Sequence, residues 1–188
     1  MIEPELLLQG YRLGIFPMAM ADDTIEWFSP DPRAILPLDQ FHVPHALRRV
    51  VKKQIFEIKL DTRFVEVMRA CAQRDETWIS REIVESYAQL YKLGYAHSVE
   101  AWHEGELAGG LYGVSLGGAF FGESMFHRVT DASKVALVAL VEHLRARKFQ
   151  LLDTQWITPH LAQFGAAEVS RKHYLRMLAR AVDLPVDF

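Results

Sequence analysis

With 188 residues, half of them hydrophobic, the chain can bury a sizeable core, which excludes a disordered or fibrous protein and fits one domain with a short appendage. Because the formal charge is −3, any contact with nucleic acid requires a local basic patch. The single cysteine, Cys71, excludes an intramolecular disulfide and most cysteine-rich metal sites, so a cytoplasmic location is expected. No signal peptide and no apolar run of about 18 residues occurs, so membrane insertion is not expected.

Residues 1–33 are predicted to form a small N-terminal subdomain. A short helix is expected over 3–14, with Pro4 near its first turn and Gly14 at its end. Segment 27–33 contains two prolines, which exclude a regular helix and a central strand. A connection is therefore predicted over 27–33.

Residues 34–188 are predicted to fold as the catalytic domain. Its clearest element is a helix over 80–93, which Ser80 is expected to cap and Gly94 to end. Glycine-containing tight-turn signals join the three central strands into an antiparallel meander. The predicted order is helix 44–54, strand 55–60, helices 62–72 and 80–93, strands 97–103, 106–115 and 118–123, helix 131–147, strand 149–155, a short helix near 158–164, strand 166–169 and helix 170–182.

This order of elements describes an α/β fold in which helices flank one mixed sheet. It matches the N-acetyltransferase-like fold, but a fold does not by itself choose a substrate. Function must therefore be argued from candidate sites.

Glu123 is the first candidate, because it follows an aromatic pair at the predicted end of a core strand. Burying a carboxylate costs several kcal/mol unless it is paired or hydrogen-bonded. A buried Glu123 therefore indicates a polar task inside an apolar pocket. The alternative is a Glu123 that faces solvent beyond the end of the strand.

Asp153 and Gln155 are the second candidate. The two-residue period of a strand places both on one face, where Asp153 is expected to accept from the Gln155 amide and hold its carbonyl oxygen towards an incoming amine. The alternative is an exposed edge of the sheet.

A basic cluster is the third candidate, with four cations in six positions of one predicted helix: Arg48, Arg49, Lys52 and Lys53. Their i,i+4 spacing leaves repulsion that a polyanion relieves. The alternative is a solvated face, which is the usual role of a charge run.

Several other motifs fail. Gly122-Glu123-Ser124 begins like a nucleophile elbow, but Phe126 stands where the second glycine is required. Eight histidines include no His-Glu-x-x-His pattern, so no metal site is expected.

Seven distinctive motifs are spread along nearly the whole chain. They are Gly14-Ile15-Phe16-Pro17, Trp27-Phe28-Ser29-Pro30-Asp31-Pro32-Arg33, Thr77-Trp78-Ile79, Gly94-Tyr95-Ala96-His97-Ser98-Val99-Glu100, Gly109-Gly110-Leu111-Tyr112-Gly113-Val114, Phe121-Gly122-Glu123-Ser124-Met125-Phe126 and Asp131-Ala132-Ser133-Lys134. Together these motifs resemble those of leucyl/phenylalanyl-tRNA protein transferases. The sequence departs from the usual pattern of that family at Met18, at His127 and at Thr154.

The resemblance implies an enzyme that moves Leu or Phe, with Met as a third donor, from aminoacyl-tRNA to proteins with N-terminal Arg or Lys, creating a degradation signal. It implies no coenzyme A, nucleotide or metal, and a monomer is expected. The basic cluster would receive the tRNA acceptor stem. By family analogy, the reaction centre contains Tyr11, Tyr87, Glu123, Asp153 and Gln155, and the pocket for the transferred side chain contains Trp78, Leu111, Phe120, Leu140 and Leu152.

Two other functions stay open at this point. An acyl-coenzyme A N-acyltransferase is disfavoured, because residues 123–133 lack the glycine-rich loop that cradles pyrophosphate. A noncatalytic tRNA-binding module would need only the basic cluster.

Overall fold

The computed structural model describes residues 1–188 as sixteen helices and strands. Their bounds follow the predicted order closely from α2 onwards. The elements are α1 (Pro4–Arg12), β1 (Phe16–Ala19), β2 (Ile25–Phe28), β3 (Arg33–Ile35), α2 (His45–Lys53), β4 (Glu57–Leu60), α3 (Phe64–Ala72), α4 (Arg81–Lys92), β5 (Ala96–His103), β6 (Glu106–Leu116), β7 (Ala119–His127), α5 (Ala132–Ala146), β8 (Leu151–Gln155), α6 (Pro159–Ala162), β9 (Ala167–Val169) and α7 (Arg171–Ala181).

Seven of the strands form one mixed sheet in the order β4-β5-β6-β7-β8-β3-β9. Strands β7 and β8 run parallel, and every other pair in the sheet is antiparallel. Parallel neighbours require a crossover connection, which α5 supplies. The predicted α/β fold with a mixed sheet flanked by helices is confirmed.

A hydrophobic core lies on each face of the sheet. Helices α1, α3, α4 and α7 cover one face, where buried residues include Tyr11, Tyr87 and Tyr174. Helices α2 and α5 cover the other, through Leu47 and Leu140 among others. The sheet is therefore the middle layer of three.

Helix α4 begins and ends as its sequence predicts. The Ser80 hydroxyl accepts from the backbone N–H of Ile83 at 3.3 Å, which satisfies one of the free donors at the helix start. Gly94 follows the helix with a φ of 80°, a left-handed conformation that glycine adopts without a steric penalty.

The predicted connection over 27–33 is wrong at both ends. Trp27 and Phe28 belong to β2, which pairs with β1 as a hairpin, and Arg33 begins β3 between β8 and β9. The two prolines restrict only the short link between these strands. Trp27 packs closely on α1, since a Cβ atom at Gly10 would collide with its ring.

Residues 1–33 share a core with the rest of the chain. Tyr11 and Phe16 belong to the same hydrophobic cluster as Phe121 and Leu151 of the main sheet. None of the helices is long and apolar enough to cross a membrane.

Candidate active site

A β-bulge in β7 places Glu123. Tyr112 of β6 lies opposite Ser124, and Gly113 lies opposite Gly122, so Glu123 is an extra residue without a partner in β6. Bulges bend a strand and redirect its side chains, and they are frequent beside active sites. Because the strand continues through this bulge, β7 reaches His127 instead of ending at residue 123 as predicted.

The pairing of β7 with β8 ends at the same place. The last paired residues are Phe121 and Asp153. Beyond that point the two strands part, and both Glu123 and Gln155 line a cavity.

Glu123 is buried, with 9 % of its surface exposed, so the solvent-facing alternative is wrong. Its Oε1 atom accepts from the Tyr11 hydroxyl at 2.6 Å and from Gln155 Nε2 at 3.1 Å. The Tyr87 hydroxyl is hydrogen-bonded to that of Tyr11. When Glu123 is ionised, Tyr11 gives its own proton to the carboxylate, so Tyr87 is then the donor to Tyr11. The Oε2 atom of Glu123 has no partner in the chain.

Burial raises the pKa of Glu123 to about 7. The hydrogen bond from Tyr11 opposes this rise, the nearby Asp153 adds to it, and Gln155 and Arg33 oppose it. Burial also raises the pKa of Tyr11 and of Tyr87, so both phenols remain protonated donors at neutral pH. Glu123 can therefore exchange a proton near neutrality, as a general base requires.

The predicted contact between the side chains of Asp153 and Gln155 is wrong. Asp153 Oδ1 accepts instead from the backbone N–H of Gln155 at 2.9 Å, while the Gln155 side chain binds Glu123. The alternation of the strand breaks because Gln155 has a φ of 65°, and the Trp156 N–H closes a three-residue turn onto the Thr154 carbonyl at 2.7 Å.

The alternative of an exposed edge is also wrong. Asp153 and Gln155 are both buried, because β3 and β9 extend the sheet beyond β8.

Arg33 and Tyr174 complete this network, and neither was assigned a role from the residue pattern. Arg33 binds both carboxylate oxygens of Asp153, Nε to Oδ1 at 3.0 Å and Nη2 to Oδ2 at 2.6 Å. The Tyr174 hydroxyl donates to Oδ2 at 2.8 Å. Because Asp153 lies within an apolar strand, its carboxylate requires a buried partner. Arg33 directly precedes the apolar residues Ala34 and Ile35, which indicates that Arg33 is buried. These two signals do not show that the two residues bind each other.

The cavity beside Glu123 has a volume of about 470 Å³. Four of the five predicted pocket residues line it: Trp78, Leu111, Leu140 and Leu152. Phe120 does not line the cavity, because its fully buried ring stacks on Phe188 with ring centres 5.4 Å apart. Residue patterns missed other lining residues, among them Arg74, Tyr112, Leu137, Thr154, Trp156 and His160.

Tyr11, Tyr87 and Asp153 do not reach the cavity. All three are fully buried, and none of them belongs to its lining. They act on Glu123 and Gln155, which do line the cavity. A second cavity, of about 590 Å³, lies between the end of α2, β4 and α5, away from this network.

Two potential nucleophiles near the cavity are not activated. The Ser124 hydroxyl accepts from Arg74 Nη2 at 2.9 Å, and no base takes its proton. Burial raises the pKa of the Cys71 thiol to about 12, which removes the reactive thiolate at neutral pH. No cluster of three metal-binding side chains lies anywhere in the chain.

The four cations of the basic cluster lie together on α2, and all are exposed. None makes a salt bridge, and Arg48 Nε donates to the Val43 carbonyl at 2.8 Å. The cluster is therefore free to contact a polyanion.

Comparisons with known proteins identify the family of the chain. The family model described as leucyl/phenylalanyl-tRNA protein transferase matches residues 35–179, and the model of that family's N-terminal domain matches residues 1–31. A leucyl/phenylalanyl-tRNA protein transferase from Herpetosiphon aurantiacus is 58% identical over 188 residues, covering 100% of this chain and 98% of the relative. One from Gloeobacter violaceus is 55% identical over 188 residues, covering 100% and 97%.

Two solved structures show a weaker likeness. A functionally unknown conserved protein from Staphylococcus epidermidis has a TM-score of 0.49 at 12% identity, covering 90% of this chain and 65% of that one. A GCN5-related N-acetyltransferase-like protein from Streptococcus suis has a TM-score of 0.40 at 15% identity, covering 88% and 64%.

The fold, the buried carboxylate beside an apolar cavity and the matching sequences define an enzyme of the aminoacyltransferase class. Both family models together span most of the chain, and relatives more than half identical match its whole length. The chain belongs to the leucyl/phenylalanyl-tRNA protein transferase family.

Proposed function

We propose that the chain moves Leu or Phe, with Met as a third donor, from aminoacyl-tRNA to the α-amine of proteins that begin with Arg or Lys. The observation that carries the transfer step is that Glu123, whose buried Oε2 atom has no partner, lines an apolar cavity. The new N-terminal Leu or Phe would then serve as a degradation signal.

The apolar cavity is the proposed seat of the transferred side chain. Trp78, Leu111, Leu140 and Leu152 line it, and its volume suits a small ligand group. A charged donor side chain would lose its hydration there without gaining a partner, which costs several kcal/mol. Selection of apolar donors follows from that cost.

In the proposed reaction, the acceptor nitrogen attacks the ester carbonyl carbon, a C–N bond forms, and the bond from carbonyl carbon to ribose oxygen breaks. Glu123 takes a proton from the amine and returns it to the leaving ribose oxygen, so no net proton is consumed. The Gln155 Oε1 atom accepts from the amine and aligns it, since its Nε2 is held by Glu123.

The charge of the buried network supports a cationic acceptor. With Glu123 ionised, two carboxylates face the single guanidinium of Arg33. An acceptor that carries a cationic first side chain offsets the surplus negative charge.

The basic cluster, Arg48, Arg49, Lys52 and Lys53, is proposed to bind the phosphates of the tRNA acceptor stem. Its exposure and its lack of acidic partners support this role. We further propose a cytoplasmic monomer with an N-terminal subdomain over 1–33, which needs no coenzyme A, nucleotide or metal because the aminoacyl ester is already activated.

The test uses the whole chain with separately charged tRNAs carrying Leu, Phe, Met or Lys, and with matched peptides that begin with Arg, Lys, Ala or Glu. Mass spectrometry should show addition of Leu, Phe or Met to the Arg and Lys peptides without added coenzyme A, and no addition of Lys. Equal transfer to the Ala peptide would remove the proposed acceptor class. A requirement for coenzyme A would contradict the reaction itself.

A further inference from the structure

Arg33 is the only cationic side chain buried in the chain, with 1 % of its surface exposed. Besides its two bonds to Asp153, it donates through Nη1 to the Gly14 carbonyl at 2.9 Å. Its guanidinium carbon lies 4.4 Å from the ring centre of Tyr174 and 5.0 Å from that of Phe16. Hydrogen bonds made by the planar guanidinium and contacts with two aromatic rings thus hold Arg33 in place.

Asp153 has no acceptor position left for a substrate. Oδ1 accepts from Arg33 and from the Gln155 backbone, and Oδ2 accepts from Arg33 and Tyr174. An ionised carboxylate offers about four lone-pair positions, and all of these are occupied. Asp153 therefore acts on the reaction only through the groups that it binds.

Asp153 holds the strained backbone turn at Gln155 in place. A positive φ is costly for a residue other than glycine, and it persists only where the surroundings hold it. The bond from the Gln155 N–H to Asp153 Oδ1 supplies that hold. Since the Gln155 side chain then reaches Glu123, a small movement of Asp153 would displace Gln155 and Glu123, which both line the cavity.

We propose that Arg33 is a positioning residue of the transfer reaction, which acts through Asp153 to hold the backbone of Gln155 and thereby aligns Gln155 and Glu123 for the acceptor amine. This inference rests on the proposed function. It assigns to Arg33 two separable effects. One comes from its planar guanidinium, which makes two hydrogen bonds to the Asp153 carboxylate, and the other comes from its positive charge.

The electrostatic effect falls on Glu123, which is buried near several titratable groups. Arg33 favours the ionised form of Glu123, and Asp153 opposes it. The titratable and charged groups that face Glu123 come from six elements: Tyr11 of α1, Tyr87 of α4, Tyr112 of β6, Asp153 of β8, Arg33 of β3 and Tyr174 of α7.

Three variants separate the effects. Arg33→Lys keeps the charge but loses the planar fork, so kcat should fall about ten-fold while KM for aminoacyl-tRNA changes less than about two-fold. Arg33→Met removes the charge as well, so kcat should fall about a hundred-fold. Its acid limb of kcat against pH should also move to higher pH, because Glu123 loses a neighbouring cation.

The third, the double variant Arg33→Met with Asp153→Asn, removes both charges. Its acid limb should return to or below the wild-type pH, and part of kcat should recover, because the amide oxygen of the replacement side chain still accepts from the Gln155 N–H. The double variant also keeps the test decisive if the single Met variant does not fold, since it buries no unpaired carboxylate.

Leu178→Ala is the matched structural control. Leu178 is buried on α7, in the hydrophobic cluster that contains Phe16 and Tyr174. Its truncation should therefore lower Tm without changing kcat per folded molecule or the acid limb of kcat against pH. Circular dichroism gives the folded fraction for every variant.

The inference is overturned if the Arg33 variants behave like Leu178→Ala, with a lower Tm but an unchanged kcat per folded molecule and an unchanged acid limb. An absence of transfer by the wild-type chain is a different result, and it would reject the proposed function instead.

Discussion

Gln155 Nε2 donates to Glu123 Oε1 at 3.1 Å, at the point where β7 and β8 cease to pair. The bond fixes one oxygen of the carboxylate, while the buried Oε2 atom has no partner, and both residues line the cavity. It also turns Gln155 Oε1 away from Glu123. A carboxylate and an amide oxygen thus lie side by side, and in the proposed reaction both contact the acceptor amine.

The first prediction concerns the activity of Glu123→Gln. Because the variant keeps the size of the side chain but cannot take a proton, kcat/KM should fall by about 10² or more. Wild-type kcat/KM should rise with pH through about 7 as Glu123 ionises, in addition to the titration of the acceptor amine. The variant should retain only the amine titration in initial-rate assays at constant ionic strength.

The exposed Glu168→Gln serves as the control, since it removes an equal charge from β9. Its pH profile should match that of the wild type. If Glu123→Gln kept wild-type rates at every pH, Glu123 would have no part in proton transfer.

The second prediction concerns the stability of the same variant. Burial raises the pKa of Glu123 from 4.5 to about 7, so the folded state holds a proton that the unfolded state has already lost between those values. The contribution of Glu123 to the free energy of unfolding therefore falls as pH rises from about 4.5 to about 7, by about 3 kcal/mol in all. Well above pH 7 the folded and unfolded states are equally deprotonated, and the loss is complete.

Urea unfolding of the wild type and of Glu123→Gln between pH 5 and pH 8 measures this loss. The variant should gain stability relative to the wild type as pH rises, because its neutral amide has no charge to desolvate. A difference that stays constant across this range would contradict the raised pKa of Glu123.

The sequence predicted the elements well, because local signals determine them. The cap at Ser80 and the stop at Gly94 both follow from residue types at fixed spacing. The hairpin of β1 and β2 was missed, since each strand has only four residues and two prolines follow it closely.

The candidate site was predicted only in part, because its geometry depends on backbone irregularities and distant partners. The bulge at Glu123 and the turn at Gln155 break the alternation on which strand faces are predicted. The bond of Arg33 to Asp153 joins residues 120 positions apart, which no periodic pattern reports. Sequence therefore identified Glu123 and Gln155 but paired Gln155 with the wrong carboxylate.

The third prediction concerns donor size. Leu152→Ala enlarges the cavity, so the leucine side chain should bind more weakly by about 1 kcal/mol, and kcat/KM with leucyl-tRNA should fall several-fold. Phenylalanine fills more of the enlarged space, so the ratio of Phe to Leu transfer should rise. Competition between the two charged tRNAs, with product masses as the readout, measures this ratio.

Phe120→Leu is the matched control, because Phe120 is buried on β7 but does not line the cavity. It should lower Tm and leave the donor ratio unchanged. Equal or better leucine transfer by Leu152→Ala would show that Leu152 does not contact the donor side chain.

The fourth prediction concerns the basic cluster. Replacing Arg49 and Lys53 with Gln should weaken tRNA binding and reduce the slope of log Kd against log salt by about 0.7 to 0.9 for each phosphate that the variant no longer neutralises. Both side chains are exposed and make no hydrogen bonds within the chain, so the fold should not change.

Lys172 and Arg176 of α7 form a control pair with the same spacing, charge and exposure. Their replacement with Gln alters the net charge equally. If both double variants reduced the slope by the same amount, binding would depend on net charge rather than on the basic cluster.

The last prediction is that transfer proceeds without a covalent enzyme intermediate. Ser124 has no base to activate it, since its hydroxyl accepts from Arg74, and the high pKa of Cys71 keeps its thiol protonated. Ser124→Ala and Cys71→Ala should each keep at least about a tenth of wild-type kcat per folded molecule, whereas loss of a true nucleophile costs far more. Acid quenching during turnover with labelled leucyl-tRNA, followed by mass spectrometry of the intact chain, should show no leucyl adduct. An adduct that forms and decays at the rate of turnover would establish a two-step reaction and would exclude direct attack by the acceptor amine.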